Sequence, residues 1–214
     1  MLKISILLFI FLSAGKLLSQ DYYSIKPSDF TVLSELDKPV KNGDKALVLL
    51  EAAVWHYINI EREKKRIKLL TYDVSLQQAA RFHSEQMCEK KFFSHTGKDP
   101  KMKSPHQRIM HFGGKYKTTG ENIVEDFLFE EVEAGVIITP QEFYIESGKG
   151  KTYPYTYRQL AQILVKSWMK SPPHKANILD KSYTHGAIGI SLCPADGKKY
   201  KDFRVLATQC FGGK

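Results

Sequence analysis

The chain reads as an α+β domain in which helices come first and a small antiparallel sheet is completed late. Three observations carry this reading. Apolar residues recur at three-to-four spacing over residues 45–68, 76–91 and 156–171, the period that gives a helix one buried stripe. The pattern changes near the C-terminus, where Ala187-Ile188-Gly189-Ile190-Ser191-Leu192 and Phe203-Arg204-Val205-Leu206-Ala207-Thr208 read as strands. Helix-start residues also stand just ahead of three helical segments, at Asp73 or Ser75, at Ser104-Pro105 and at Thr156. Helices followed by strands segregate into layers around one core.

Taken in order, the chain opens with Met1-Leu2-Lys3, an apolar run from Ile4 to Leu12, and the small residues Ser13-Ala14-Gly15. A cationic start, a short apolar core and small residues after it describe a secretory signal peptide over residues 1–19, cleaved near Ser19 or Gln20. The run falls short of the roughly 20 residues a membrane span needs; the alternative is an uncleaved anchor. Residues 20–44, with Pro27, Pro39 and Gly43, are a leader or linker that wraps or stays mobile. From residue 45 onward one domain is expected. Its first helix carries Leu47, Leu50, Ala53 or Val54, and Tyr57 or Ile58, and turns charged from Glu61 to Lys68. The second carries Leu76, Ala79, Ala80, His83 and Met87. A third starts with a serine cap and a proline at the first helical position and stops at Gly113-Gly114. Residues 126–155, with Gly135, Pro140, Gly148, Gly150 and Pro154, interrupt the pattern as an insertion holding one strand or short helix. Thr156-Tyr157-Arg158-Gln159 is a capping-box string, and the helix it opens stops near Ser171 because Pro172-Pro173 cannot continue it. The two late strands are joined by a turn at Asp196-Gly197.

Composition narrows the function classes. Lys and Arg number 32 against 23 acids, a formal charge of +9, which falls to +7 once Lys3 and Lys16 leave with the signal peptide (9 − 2). The excess is concentrated: Lys98, Lys101, Lys103, Arg108, Lys115 and Lys117 face one acid, Asp99, while Glu125, Asp126, Glu130, Glu131 and Glu133 cluster beyond. Such a surface favours anionic partners, namely membrane head groups, acidic glycans or wall polymers, or serves solubility alone. No nucleic-acid motif is present. H-E-x-x-H, G-x-S-x-G and nucleotide-binding glycine loops are absent from the sequence. Three cysteines, Cys88, Cys193 and Cys210, allow one internal bridge. Cys193 with Cys210 fails on register, because a turn near residue 196 sets them about 7 residues apart along the ladder, beyond the span of a disulfide. Cys88 remains a structural or free thiol.

Three strings hold groups capable of chemistry: Phe93-Ser94-His95-Thr96, Gly120-Glu121-Asn122-Ile123, and Ser171-Pro172-Pro173-His174-Lys175-Ala176-Asn177-Ile178-Leu179. No local element can join them. Two imidazoles and a carboxylate meeting at one point would form a divalent-metal site or an acid–base cluster; equally, they could bond loop backbones and shape a cleft. His83 reads as structural, since its neighbour Ser84 points about 100° away on a helix. His106, His111 and His185 read as surface or loop groups, the last two at the edge of a cleft.

Together with Asn59-x-Glu61-Arg62, Trp168-Met169 and Gln209-Cys210-Phe211-Gly212, in this order, these strings resemble the bacterial branch of the CAP superfamily, the cysteine-rich secretory, antigen 5 and pathogenesis-related proteins or SCP domains. The resemblance spans about residues 46–212. It implies a three-layer α-β-α sandwich with a central antiparallel sheet, and a cleft lined by two histidines and two acids. His95 and His174 match the histidines and Glu121 the first acid. Ser171 stands where the second acid is expected, so the set is incomplete. The resemblance implies metal ligands His95 and His174, cleft residues Glu121 and Ser171, and at most a weak, exchangeable Zn²⁺. The expected protein is a secreted, monomeric binding module for a lipid, glycan, cell-wall or protein ligand. The alternatives are a metal-assisted extracellular hydrolase with Glu121 as general base, and a structural surface protein.

Overall fold

Alternation along the late strands decides the layers. In β5 (His185–Pro194) Ile188 and Ile190 enter one core while Ala187 and Cys193 enter another; in β6 (Phe203–Gly213) Val205, Ala207 and Phe211 separate from Leu206 and Cys210 in the same way. A strand sends successive side chains to opposite faces, so this sheet is covered on both sides. The structure is a computed structural model that describes residues 21–41, 43–130, 136–138, 142–147, 150–194 and 203–214. The expected signal peptide and the Asp196-Gly197 turn lie outside the described residues.

On the first face pack α2 (Asp44–Lys64) and α5 (Tyr157–Lys170), with Leu50, Val54, Ile58, Leu160, Leu164 and Trp168 in the larger core. The second face is covered by α3 (Val74–Glu89) and α4 (Pro105–His111), which bring Leu76, Ala79, Ala80, Met87 and Ile109 to it. The result is the expected α-β-α sandwich. Gly189 makes the second contact possible: a Cβ there would lie 2.0 Å from the Arg81 backbone nitrogen. The helix starts fall on their capping residues. Asp73 accepts from the Ser75 and Leu76 amides, and Ser104 and Thr156 form full capping boxes. The stop after α4 is Gly113, at φ 89°.

Two expectations, on the insertion and on Cys88, are corrected, and two further elements appear. The sheet has a third strand, β1 (Thr118–Phe127), antiparallel to β6, so the order is β1-β6-β5 with β1 at the edge. The insertion holds three short antiparallel strands rather than one: β2 (Val136–Ile138), β3 (Phe143–Ser147) and β4 (Gly150–Thr152). It is docked, since Phe143 and Ile145 join the larger core. Pro172-Pro173 end one helix and open another, α6 (Pro172–Leu179), because proline suits a first helical turn whose amides lack partners anyway. Finally, Cys88 is neither free nor unpaired: it is bonded to Cys193, tying the end of α3 to β5. Cys193 and Cys210 do stand apart, facing Arg204 and Ala187 respectively, and Cys210 is a buried free thiol.

Residues 21–41 wrap. The short helix α1 (Pro27–Phe30) and the turns beside it bury Phe30, Leu36 and Val40 in the larger core. Phe30 stacks on His56, whose Nε2 bonds the Tyr22 carbonyl at 2.9 Å. Arg158 of α5 clasps the segment at Asp37 and at the Thr31 carbonyl. Among the described residues, no helix is long and apolar enough to cross a membrane.

Candidate functional site

Edge strand β1 organises the site because its two faces carry different halves of it. Glu121 and Ile123 turn towards α3 and α4, while Asn122 turns towards α6. On the first side, the Glu121 carboxylate is 1 % exposed. Its Oε1 accepts from His95 Nδ1 at 2.8 Å, and its Oε2 from Arg108 Nη2 at 2.6 Å. His83 Nε2 stands 3.8 Å from Oε1 but spends its proton on the Ser94 carbonyl at 2.9 Å. The His95 ring is half exposed and lies against an open depression of about 450 Å³, walled also by Thr96, Lys103, Ser104, Pro105 and Gln107.

The other half is held by asparagines. Asn122 Nδ2 donates to the His174 carbonyl at 3.1 Å; Asn177 Nδ2 donates to the Glu121 carbonyl at 3.3 Å and to Asn122 Oδ1 at 2.9 Å. His174 and Asn177 are three apart on α6 and therefore share a face, which explains why the two strings occur together. Arg62 of α2 anchors the far end of α6, donating to the Ile178, Asp180 and Tyr183 carbonyls. Asn59 pairs with both backbone groups of Leu70. These two residues of the first string thus act on the loops around the site and not within it.

A direct hydrogen bond joins His95 to Glu121, whereas His174 is tied to β1 through its backbone carbonyl, which accepts from Asn122. The His174 imidazole is held below its ordinary range by burial first and by its electrostatic interaction with His95 second. His83 is also lowered, chiefly by burial, with Glu121 opposing. Ser171 is the half-buried junction of α5 and α6, and its side chain makes no capping bond; it is not part of the wall beside His95. His106 and His111 are exposed, and His185 lies against Tyr116 with its centroid 5.5 Å away. None of these three joins the group around Glu121.

Sequence reasoning missed Arg108, which it counted among surface cations. Its guanidinium is fully buried and also donates to the carbonyls of His95, Met102 and Lys103. The one available signal was its position on the core-facing side of α4, one residue before the buried Ile109.

The donor chemistry bears on Zn²⁺, the metal that the resemblance implies. A carboxylate oxygen accepts, so His95 Nδ1 is the donor in that bond, and in a neutral ring so bonded the lone pair falls on Nε2, the form in which imidazole binds a metal. Glu121 has both oxygens engaged. Among the described residues, no three or more His, Cys, Asp or Glu side chains are grouped to hold a metal ion.

Residues 55–211 match the family model described as CAP, the cysteine-rich secretory protein family. The chain belongs to the CAP family. It is 32 % identical over 164 residues to the uncharacterised Bacillus subtilis protein YkwD, a stretch covering 77 % of this chain and 47 % of that protein. The chain therefore spans about half the length of that curated relative. Two solved structures share its fold. One is an extracellular protein containing a SCP domain from Bacillus anthracis, with TM-score 0.51 and 18 % identity over 87 % of this chain and 50 % of that one. The other is an outer surface protein from Borrelia burgdorferi, with TM-score 0.51 and 16 % identity over 83 % of this chain and all of that one.

Proposed function

We propose that this CAP-family protein is an exported recognition module. In this reading the His95–His174 cleft takes a weakly held divalent metal and a ligand bearing anionic groups, such as an acidic glycan or wall polymer. The observation that carries it is the Glu121–His95 hydrogen bond, which engages Nδ1 of a half-exposed imidazole on the wall of an open depression. Exposed Lys103, which lines that depression, favours negative charge there. Export is supported by the signal-peptide pattern and by the Cys88–Cys193 disulfide, a bond that persists in oxidising compartments.

Recognition is favoured over hydrolysis by the state of Glu121. A general base must reach the proton it takes, directly or through one water. Glu121 is buried, with both oxygens occupied by Arg108 and His95. Its role in this reading is to orient His95.

Calorimetric titration of the oxidised protein with Zn²⁺ tests the site. Wild type is expected to bind one ion, and His95→Ala/His174→Ala, with unchanged circular dichroism, to lose that binding. Equal affinity in both proteins would remove the metal from the account. Peptide or wall hydrolysis that disappears in Glu121→Gln with the fold intact would restore the hydrolase.

A further inference from the structure

The loop that presents His95 is wound around a buried guanidinium. Residues 95–103 leave α3, turn back on themselves through the Gly97 amide to the Lys103 carbonyl at 2.8 Å, and deliver the chain to α4. Inside this loop, Arg108 makes four bonds from one planar group, three to carbonyls and one to a carboxylate. Nη1 reaches the Met102 carbonyl at 3.2 Å and the Lys103 carbonyl at 3.0 Å; Nη2 reaches the His95 carbonyl at 3.1 Å and Glu121 Oε2 at 2.6 Å. Gly97 gives the fork its room: a Cβ there would meet the Met102 carbonyl oxygen at 2.8 Å and Arg108 Nη1 at 3.3 Å. Nη2 therefore grips both the backbone of His95 and the carboxylate that His95 Nδ1 faces.

We propose that Arg108 is the positioning residue of the site: its fork fixes Glu121 and the His95 backbone together, and so commits the His95 ring to the Nδ1–H tautomer with Nε2 presented outward. The reasoning is chemical. Arg108 Nη2 holds Oε2 and the His95 carbonyl, which aims Oε1 at His95 Nδ1. A carboxylate oxygen facing the ring is an acceptor, so the ring nitrogen opposite it donates. Without the guanidinium, Glu121 loses its partner, one oxygen is left without a donor, and the preference of the ring for Nδ1–H weakens. Lysine cannot replace the fork, because a point ammonium does not span a carboxylate and three carbonyls in a fixed plane.

The inference extends the proposed function to a residue outside the histidine pair, and it is read without any metal. The experiment is ¹⁵N NMR of the imidazole nitrogens in the full oxidised chain, with His95 assigned by His95→Gln. In wild type at neutral pH, His95 is expected in the Nδ1–H form. Arg108→Gln and Arg108→Lys are expected to bring a mixture of tautomers, with lysine no better than partial rescue. A wild-type His95 found in the Nε2–H form overturns the proposal whatever the variants do. So does Arg108→Gln that keeps the disulfide and the far-ultraviolet spectrum and leaves the tautomer unchanged. Should the Arg108 variants fail to fold, Glu121→Gln decides: an unaltered tautomer there removes the carboxylate, and Arg108 with it, from control of the ring. In the same samples, a Zn²⁺ affinity 10- to 100-fold weaker in Arg108→Gln is expected, the usual cost of losing a group that orients a metal-binding histidine. A wild type that binds no Zn²⁺ yet shows the Nδ1–H form would sink the metal reading and leave this one standing.

Discussion

The Cys88–Cys193 disulfide closes a sequence separation of 105 residues, and its removal is the perturbation with the largest effect expected on stability. It encloses α4, β1, the insertion sheet, α5, α6 and part of β5 in one loop. In the chain-entropy picture, the bridge removes freedom from the unfolded state as 2.1 + 1.5R ln n cal/mol/K, which for this separation is about 4.8 kcal/mol at 25 °C. Measured losses for native bridges fall at about 2–5 kcal/mol, and at roughly 2–4 °C per kcal/mol for a domain of this size the melting point should drop by roughly 5–20 °C. The assay is urea unfolding of wild type, oxidised and reduced, beside Cys88→Ala/Cys193→Ala. Reduced wild type keeps every atom but the bond, so its difference from the double variant isolates packing at the nearly buried Cys193. Cys210→Ala, which touches the free thiol, should keep the full response to reductant. A loss below about 1 kcal/mol on reduction, or a reductant response that follows Cys210, would refute the reasoning.

Three further predictions concern the frame around the site. Gly189→Ala forces a methyl into the α3 backbone and should cost about 1–3 kcal/mol or more, since the opposing atoms cannot rotate away; an unchanged denaturation midpoint would contradict the close approach. Asp73→Ala removes the acceptor of two amides at the start of α3 and should cost about 0.5–2 kcal/mol, read by the same unfolding curve. His56 is lowered by burial from 6.5 to about 4, against a smaller opposing effect of its bond to Tyr22. Its folded value lies below its unfolded one, so the unfolded chain takes the proton first. The contribution of His56 is complete above pH 6.5 and is lost as pH falls towards 4, by about 3 kcal/mol in total. Unfolding measured across that window should be less pH-dependent in His56→Leu; equal slopes would exclude His56 as a source.

The parts of the fold legible in the sequence are those whose cause is local. Asp73, Ser104 and Thr156 cap helices because a short polar side chain reaches amides two or three residues on, and the alternation in β5 and β6 is visible since each face meets an apolar core. β1 was hidden for the opposite reason. Its middle residues, Glu121 and Asn122, are buried polar groups satisfied by residues from α4, α6 and β6, so only Ile123 and Val124 mark its two faces as apolar, too short a run to read as alternation. α6 was hidden by its prolines, which end a helix from inside and begin one from outside by the same geometry. The partner of Cys88 and the burial of Arg108 arise from contacts across the fold, and composition placed Arg108 with the surface lysines. The three strings were recognisable as a set; that Glu121 faces His95 while the neighbouring Asn122 faces the His174 backbone required the strand between them.

The central claim is that Glu121 acts on the site through His95. Zn²⁺ calorimetry on Glu121→Gln tests it most directly, because the amide must set its NH₂ group against either Arg108 or the His95 ring proton. With the fold intact, affinity is expected to fall 10- to 100-fold while one ion still binds. Affinity equal to wild type, or binding abolished as in His95→Ala/His174→Ala, would contradict the account.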